Sequence, residues 1–260
     1  MKTPSEWLQH YEKRAKVRCP IPWKLGAELT SEEREAVASS LPEFQLGESS
    51  EGRHLIRDAR TYGERAGDSF YPQTIRYFIA EEQRHALVLG RFLELNGIPL
   101  VKATWADSVF RRARNLFPGL ELSIAVLVTG ELIAQVYYRV LRDATGSALL
   151  RTLCRQILRD EVSHVAFQAE QLARLRATRG ALLYVVTMAW QRLMFLAAVV
   201  AIGLSHRSLI RRGGLGHLEW WRACWERFEA AFSAKRRVEA RKAMAMQRPT
   251  VAGSVASAAG

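Results

Sequence analysis

The sequence predicts an all-α protein whose centre is a four-helix bundle. Long segments carry apolar residues at helical spacing, and no segment has the alternation of a β-strand. A Glu-x-x-His motif occurs twice inside such segments, at Glu82–His85 and at Glu161–His164. Residues three apart share one helix face, so each motif directs a carboxylate and an imidazole to one place. This is a ligand set with which a four-helix bundle holds two metal ions.

Residues 1–42 are predicted to form an N-terminal helical extension. A short amphipathic helix is expected at Ser5–Val17, because the prolines that follow it cannot continue a helix. Thr30 and Glu33 match a capping box, so another helix is expected to begin there.

Residues 43–180 are predicted to form the bundle itself. Gly and Pro residues separate its long helical segments. The four helices are predicted at Glu43–Arg65, Pro72–Asn96, Leu120–Ala144 and Ser147–Ala177. The second and third are joined by a connection that is expected to be partly helical at Ala106–Leu116.

Residues 181–248 are predicted to add two helices that pack on the bundle. The first, Ala181–Leu204, is long and apolar enough to span a bilayer, but Gln191 and Arg192 lie in its middle. These polar residues favour a helix that packs on the bundle or lies at a membrane interface. The second, Leu218–Met246, is rich in basic residues.

An internal repeat relates the two motif helices. The segment that begins at Ile79 aligns with the one that begins at Leu158, and a lone helical glutamate, Glu131, precedes the second motif. In the first half, either Glu48 or Glu51 is the glutamate that corresponds to Glu131. Glu51 is favoured, because its spacing to the first motif is close to that of Glu131 to the second. The pattern predicts two helical hairpins packed as a pseudo-symmetric bundle.

The ligands proposed for the two metals are carboxylates and imidazoles within apolar surroundings. An unpaired carboxylate in an apolar helix face is costly, and a cation removes that cost. Carboxylates suit iron and manganese and imidazole suits ferrous iron, so the predicted cofactors are two iron ions or one manganese and one iron. The predicted ligands are Glu51 (with Glu48 as the alternative), Glu82, His85, Glu131, Glu161 and His164.

Further residues are predicted to support this site from outside. Glu81 and Asp160 each precede a motif glutamate, and each is expected to reach the second ring nitrogen of a histidine on a neighbouring helix. His54 is expected near the metals as an outer contact or as a surface residue. Tyr137 and Tyr138 lie two turns past Glu131 and are candidates to line a substrate pocket, with core packing as the alternative.

On these residues, the segment Glu43–Ala177 resembles the ferritin-like superfamily, and in particular its di-iron carboxylate proteins. The form Asp160-Glu161-x-x-His164 resembles that of the oxygen-activating oxidases and hydroxylases of this group, and Gln45–Leu55 is similar to a segment of bacterial ferritin-like domain proteins. The resemblance implies a ferritin-like four-helix core, extended here by N-terminal and C-terminal helices. It also implies two metals midway along the core and dioxygen or peroxide chemistry.

The leading functional hypothesis is a di-iron or manganese–iron oxidoreductase. It would use dioxygen and an external electron donor to oxidise or hydroxylate an organic, hydrophobic substrate. A ferroxidase or iron-handling protein is the alternative. A third hypothesis, an RNA-associated basic helical protein, is disfavoured because no RNA-binding motif is present.

Charge and cysteine content limit the partners and the compartment. The chain has 38 Lys and Arg against 26 Asp and Glu, which favours an anionic partner. The cysteines contain no Cys-x-x-Cys pair, which excludes a rubredoxin-type site and fits a reducing cytosol. We therefore expect a cytoplasmic protein, with a location at the membrane periphery as the alternative. An anionic membrane surface is a possible partner, and a homodimer is a possible oligomeric state. Residues 249–260, rich in Ala, Ser and Gly, are expected to be a disordered tail.

Overall fold

Helices account for nearly all of the ordered structure. The structure, a computed structural model, describes residues 1–17, 19–49, 52–103 and 119–247. These residues form α-helices and one short 3-10 turn at Trp23–Leu25, and the part of the chain that is described contains no β-strand. The all-α class predicted from the sequence is confirmed.

The helices are numbered in chain order over the described residues. They are α1 (Pro4–Lys16), α2 (Ser31–Ala38), α3 (Leu41–Glu48), α4 (Arg53–Ala66), α5 (Phe70–Leu95), α6 (Leu120–Asp143), α7 (Ala148–Arg176), α8 (Ala181–Ser205), α9 (Arg207–Arg212), α10 (His217–Ala231) and α11 (Ala234–Gln247).

The three longest central helices pack in a bundle-like arrangement. α6 and α7 form a hairpin and pack along their length, and α5 packs against α7. The fourth position is shared by α3, which contacts α5, and α4, which contacts both α5 and α6. The apolar faces of these helices meet in one core, to which Ile75, Leu89, Ile124, Leu132 and Ile157 contribute fully buried side chains.

The predicted helix Glu43–Arg65 is broken, and Gly52 explains why. Gly52 has a φ of 62°, a left-handed conformation that favours glycine, and a Cβ there would lie 2.3 Å from Cδ1 of Ile79 on α5. The chain therefore turns at this point and continues as α4. Before this turn, α3 ends at Glu48, with Ser49 as its C-cap. Residues 50 and 51 lie outside the described part of the chain.

The helices on either side of the bundle in the sequence pack on the same core. Helix α1 packs on α5, and its Trp7 and Tyr11 are fully buried with their rings against Phe167 of α7. The predicted capping box is present at the start of α2, where Thr30 and Glu33 exchange hydrogen bonds. Met188, Phe195 and Val199 join the core from α8, as Trp220, Cys224 and Phe228 do from α10.

The C-terminal region differs from the prediction in two places. The expected helix Leu218–Met246 is divided into α10 and α11 at residues 232–233, and the expected loop before it contains the short helix α9. The predicted connection 106–116 and the predicted tail 249–260 lie outside the described residues.

Two of the described helices, α6 and α8, are long and apolar enough to cross a membrane by length and composition alone. In α6, 72% of the residues in the most apolar window are buried, as in the core helix of a helical bundle. In α8 the corresponding share is 22%, so most of its apolar surface faces outward.

Candidate metal centre

Six acidic and histidine side chains from four helices converge inside the bundle. Gln135 of α6 donates to the backbone oxygen of Glu161, and Gln45 of α3 donates to the backbone oxygen of Ala86, which hold these helices in register around the site. The six side chains are Glu48 from the end of α3, Glu82 and His85 from α5, Glu131 from α6, and Glu161 and His164 from α7.

Their donor atoms form two overlapping groups. Within each group the donor atoms lie within 4.8 Å of one another. Glu82 and Glu161 belong to both groups, whereas each histidine belongs to one. The first group is Glu48, Glu82, His85 and Glu161, and the second is Glu82, Glu131, Glu161 and His164.

The two histidines present their Nδ1 atoms to the centre. His85 Nδ1 lies 3.4 Å from Glu48 Oε2 and 3.7 Å from Glu161 Oε1. His164 Nδ1 lies 2.8 Å from Glu82 Oε1 and 3.7 Å from Glu161 Oε1. The centre thus places an imidazole nitrogen at each end and carboxylate oxygens between them.

Most of the polar atoms that face the centre are buried and have no hydrogen-bond partner. Burying such atoms without hydrogen bonds is costly. Ion-pair contacts, such as that of His164 Nδ1 with Glu82 Oε1 at 2.8 Å, offset part of this cost, and a bound cation would offset more. The atoms are Glu48 Oε2, Glu82 Oε1, His85 Nδ1, Glu131 Oε1, both side-chain oxygens of Glu161, and His164 Nδ1.

Glu81 and Asp160 hold the outer nitrogens of the histidines crosswise between helices. His85 Nε2 of α5 lies 3.0 Å from Asp160 Oδ2 of α7, and His164 Nε2 of α7 lies 3.0 Å from Glu81 Oε2 of α5. The crosswise pairing shows that α5 and α7 run antiparallel at the site. An ionised carboxylate accepts a hydrogen bond, so each Nε2 carries a proton and each Nδ1 is directed inward, where it would bind a cation after losing its own proton.

Arg14 of α1 joins these two outer carboxylates, and the sequence analysis missed it. Its Nε donates to Glu81 Oε1 at 3.0 Å, and its Nη2 donates to Asp160 Oδ1. Arg84 donates to the other oxygen of Asp160 at 2.9 Å. The signal was present in the sequence, because Arg14 continues the buried face of α1 that carries Trp7 and Tyr11.

Charge and burial raise the pKa values of four inner groups, namely Glu82, His85, Glu161 and His164, whereas hydrogen bonds from Glu161 and His164 lower the pKa of Glu131 against the effect of burial. Burial, together with the charges of Glu131 and Glu48, raises the pKa of Glu82 to about 8, and burial beside Glu131 raises the pKa of Glu161. Burial alone would lower the pKa of His85, but Asp160 and Glu48 outweigh it and raise that pKa to about 9. Without a metal ion, the centre therefore holds protons that a cation can replace.

The pKa values of the outer carboxylates are shifted in the opposite direction. Burial would raise the pKa of Asp160, but His85 and Arg14 outweigh it and hold that pKa well below its usual range. The pKa of Glu81 is lowered against the effect of burial by His164 and Arg14. Both outer carboxylates are thus ionised near neutral pH and able to accept hydrogen bonds from the imidazoles.

Tyr137 and Tyr138 occupy different environments. Tyr138 is fully buried and donates a hydrogen bond to Glu48 Oε1, so it contacts the centre through that carboxylate. Tyr137 shares a hydrogen bond of 2.9 Å with Ser40 and stacks on Phe44, away from the six inner residues.

Two further candidate residues of the sequence analysis have separate outcomes. Glu51, the favoured ligand from the first half, lies outside the described residues, and its assignment stays a prediction. The alternative, Glu48, lies in the first donor group. His54 is exposed on α4 and belongs to neither group.

A cavity of about 430 Å³ lies against the outer carboxylates. Its lining includes Arg14, Arg84, Glu81 and Asp160, together with apolar side chains of α1 and α5, but none of the six inner residues and neither Tyr137 nor Tyr138. The outer carboxylate layer therefore separates this cavity from the centre.

The inner face of α7 continues past His164 with two buried amides. Gln168 and Gln171 are almost fully buried, and their side-chain oxygen and nitrogen atoms have no hydrogen-bond partner. The sequence analysis missed them, although their spacing from Glu161 and His164 places all four on one helix face.

Comparisons of this chain with protein-family models, with curated proteins and with solved structures give no match.

Proposed function

We propose that the six inner residues hold a pair of metal ions in a ferritin-like bundle, and that the protein is an oxygen-dependent oxidoreductase. The observation that carries this proposal is the pair of overlapping donor groups, whose buried atoms have no hydrogen-bond partner. The sharing of Glu82 and Glu161 suits two ions side by side, because a carboxylate has two oxygens and is able to bridge.

The donor set fits iron or manganese better than it fits other metals. Each group offers three carboxylates and one imidazole, and hard oxygen donors with one nitrogen suit iron and manganese. Structural zinc sites favour thiolates and closed tetrahedral geometry, and no cysteine belongs to either group among the described residues. Two iron ions, or one manganese and one iron, are the cofactors we propose.

Each residue has a defined part in this proposal. Glu48 and His85 would bind one ion, Glu131 and His164 the other, and Glu82 and Glu161 would contact both. A metal pair bound there in its reduced form would supply electrons to dioxygen.

The surrounding side chains would orient these ligands and keep water away. Asp160 and Glu81 fix the histidine rings, and Tyr138 fixes the carboxylate of Glu48. Phe78 packs edge-on against His164 at a ring-centroid distance of 4.7 Å, and Tyr11 stacks on the same ring. Aromatic walls of this kind lower the local dielectric and favour apolar substrates.

The assignment of an organic substrate follows from the resemblance of Asp160-Glu161-x-x-His164 to the same motif in oxidases and hydroxylases. A hydrophobic substrate and an external electron donor complete the proposal. The chain would then act in the cytoplasm or at the membrane periphery.

The test is oxygen consumption by protein loaded anaerobically with ferrous iron. We expect rapid consumption by the wild type, loss of it in Glu131→Gln, and wild-type behaviour in Glu94→Gln, which alters an exposed glutamate of α5. Absence of iron-dependent oxygen consumption would contradict the proposal. Oxygen consumption that resumes with each further addition of ferrous iron alone would favour the alternative of a ferroxidase.

A further inference from the structure

A continuous apolar stripe lies on the outside of α8. The members are spaced by three, four or seven residues, so they lie on one side of the helix. Each is more than half exposed, at 54–79% of its full accessible area. We call this stripe the outer face of α8; it consists of Leu182, Val186, Trp190, Leu193, Val200 and Leu204.

The opposite face of α8 is bonded to the bundle. Gln191 donates to the backbone oxygen of Ala125 at 3.1 Å and to Thr129 Oγ1 at 3.2 Å, both on α6, and it accepts a hydrogen bond from Arg176 of α7. Trp220 of α10 donates to the backbone oxygen of Val199 at 3.1 Å. These bonds hold α8 against the protein, so a membrane that contacts its outer face would lie beside the helix and would not be crossed by it.

Basic side chains lie beside the outer face on α8 and on α9, the next helix in the chain. Arg192 is the one charged residue of α8 and is exposed, and Arg207 and Arg211 are exposed on α9, directly after the helix. From residue 205 to residue 248 the chain carries eleven Lys and Arg against four Glu. An apolar helix face with basic borders is typical of helices that lie in the headgroup region of anionic membranes.

The residues beside the stripe argue against packing of a second copy of this chain on the outer face of α8. In a helix–helix interface between soluble proteins, charged residues usually flank the apolar seam and determine the pairing. Here Arg192 is the one charged residue that flanks the stripe, and the other flanking residues, including Leu183, Val185 and Leu196, are apolar. A twofold contact would also bring together the basic borders of two chains that each carry a net charge of +12.

We propose that the outer face of α8 is a membrane-docking surface for a bilayer that contains anionic lipid. Trp190 and Leu193 would enter the boundary between headgroups and acyl chains, while Arg192, Arg207 and Arg211 would contact lipid phosphates. This inference does not depend on the metal centre, and it holds whether or not the protein binds iron.

Flotation of the full chain with lipid vesicles tests this proposal. Wild type is compared on vesicles of phosphatidylcholine and on vesicles that also contain phosphatidylglycerol. We expect flotation with the anionic vesicles, weakened by high salt, and at least a tenfold weaker partition for the double variant Val186→Ser with Leu193→Ser. The matched control, Leu95→Ser with Leu100→Ser, removes two other exposed apolar side chains and should float like the wild type.

Three results would overturn the proposal. The wild type would remain unbound with both kinds of vesicle, or the double variant would float as well as the wild type. The third is that light scattering finds the wild type to be a dimer and the double variant a monomer. A second copy of the chain would then cover the outer face of α8. Equal flotation with neutral and anionic vesicles would overturn the part assigned to the arginines, which the variant Arg207→Gln with Arg211→Gln tests separately.

Discussion

Around His85 and His164 the protein buries ionisable groups, whereas along the outside of α8 it exposes large apolar side chains. The two regions reverse the usual distribution of polarity in opposite senses. Both arrangements are unfavourable for an isolated protein in water: a buried polar atom without a partner costs free energy, and a large apolar patch favours association. The comparison teaches that each region would be stabilised by a bound partner, which we propose to be a cation inside the bundle and lipid outside it.

The two faces of α8 provide the largest expected effect. Phe195 is fully buried, so Phe195→Ala should lower the free energy of unfolding by about 3–5 kcal/mol. Leu193 is 60% exposed, so Leu193→Ala should change the free energy of unfolding by less than about 0.5 kcal/mol. Urea unfolding of both variants checks this. An equal loss for Leu193→Ala would show that the outer face is packed within the free protein.

The buried centre should make the metal-free protein pH-sensitive. Glu82 and His85 have folded-state pKa values of about 8 and about 9, above their ordinary values of 4.5 and 6.5. A group with a raised pKa stabilises the fold below its unfolded pKa and loses that contribution as the pH rises through the folded value. Stability should therefore fall as the pH rises from 6 to 9.

Urea unfolding of metal-free protein at these two pH values measures the effect. The lowered pKa values of Glu81 and Asp160 act only in acid, below about pH 4, and do not enter this window. Glu82→Gln should reduce the pH dependence, whereas Leu193→Ser should leave it unchanged. Stability that is constant or rises with pH would contradict the electrostatic description of the centre.

Arg14 should affect metal binding without contacting the metals. Arg14→Gln removes the group that joins Glu81 and Asp160, so the histidine rings are less well fixed and metal affinity should fall about 10–100-fold. The control is Lys13→Gln, an exposed residue on the same helix. Competition with a chelator measures both. Equal affinities for the two variants would remove Arg14 from the site.

Neighbouring tyrosines provide the smallest expected effect. Tyr138→Phe removes the hydrogen bond to Glu48 and should weaken metal binding by about 1 kcal/mol. Tyr137→Phe removes a hydrogen bond to Ser40 and should leave metal affinity unchanged. The same chelator competition applies, and a larger effect of Tyr137→Phe would place the wrong tyrosine at the centre.

Much of the central fold could be predicted because its signals are local. Apolar periodicity predicted α5, α6 and α7 within a few residues, and Glu-x-x-His spacing predicted which carboxylates and imidazoles share a face. The break after α3 was not predicted, because the left-handed φ of Gly52 and its close approach to Ile79 are seen only in the structure. Spacing alone therefore misjudged the helix that carries Glu48.

The role of Arg14 and the exposed side of α8 could not be predicted from the sequence for a related reason. Arg14 meets Glu81 and Asp160 only after α1 docks on α5, and sequence distance conceals that contact. In α8 nearly every residue is apolar, so the sequence indicated a hydrophobic helix but not which side faces outward. Docking of Gln191 and Phe195 on the bundle determines that side.

The measurement that tests the central claim most directly is the metal content of protein purified from iron-replete cells. Wild type is compared with Glu161→Ala and with the control Glu94→Gln. The account predicts about two iron ions, or one manganese and one iron, per chain in the wild type and the control. It also predicts loss of the metals in Glu161→Ala, because Glu161 belongs to both donor groups. Wild-type protein without metal, even after anaerobic reconstitution, would contradict it.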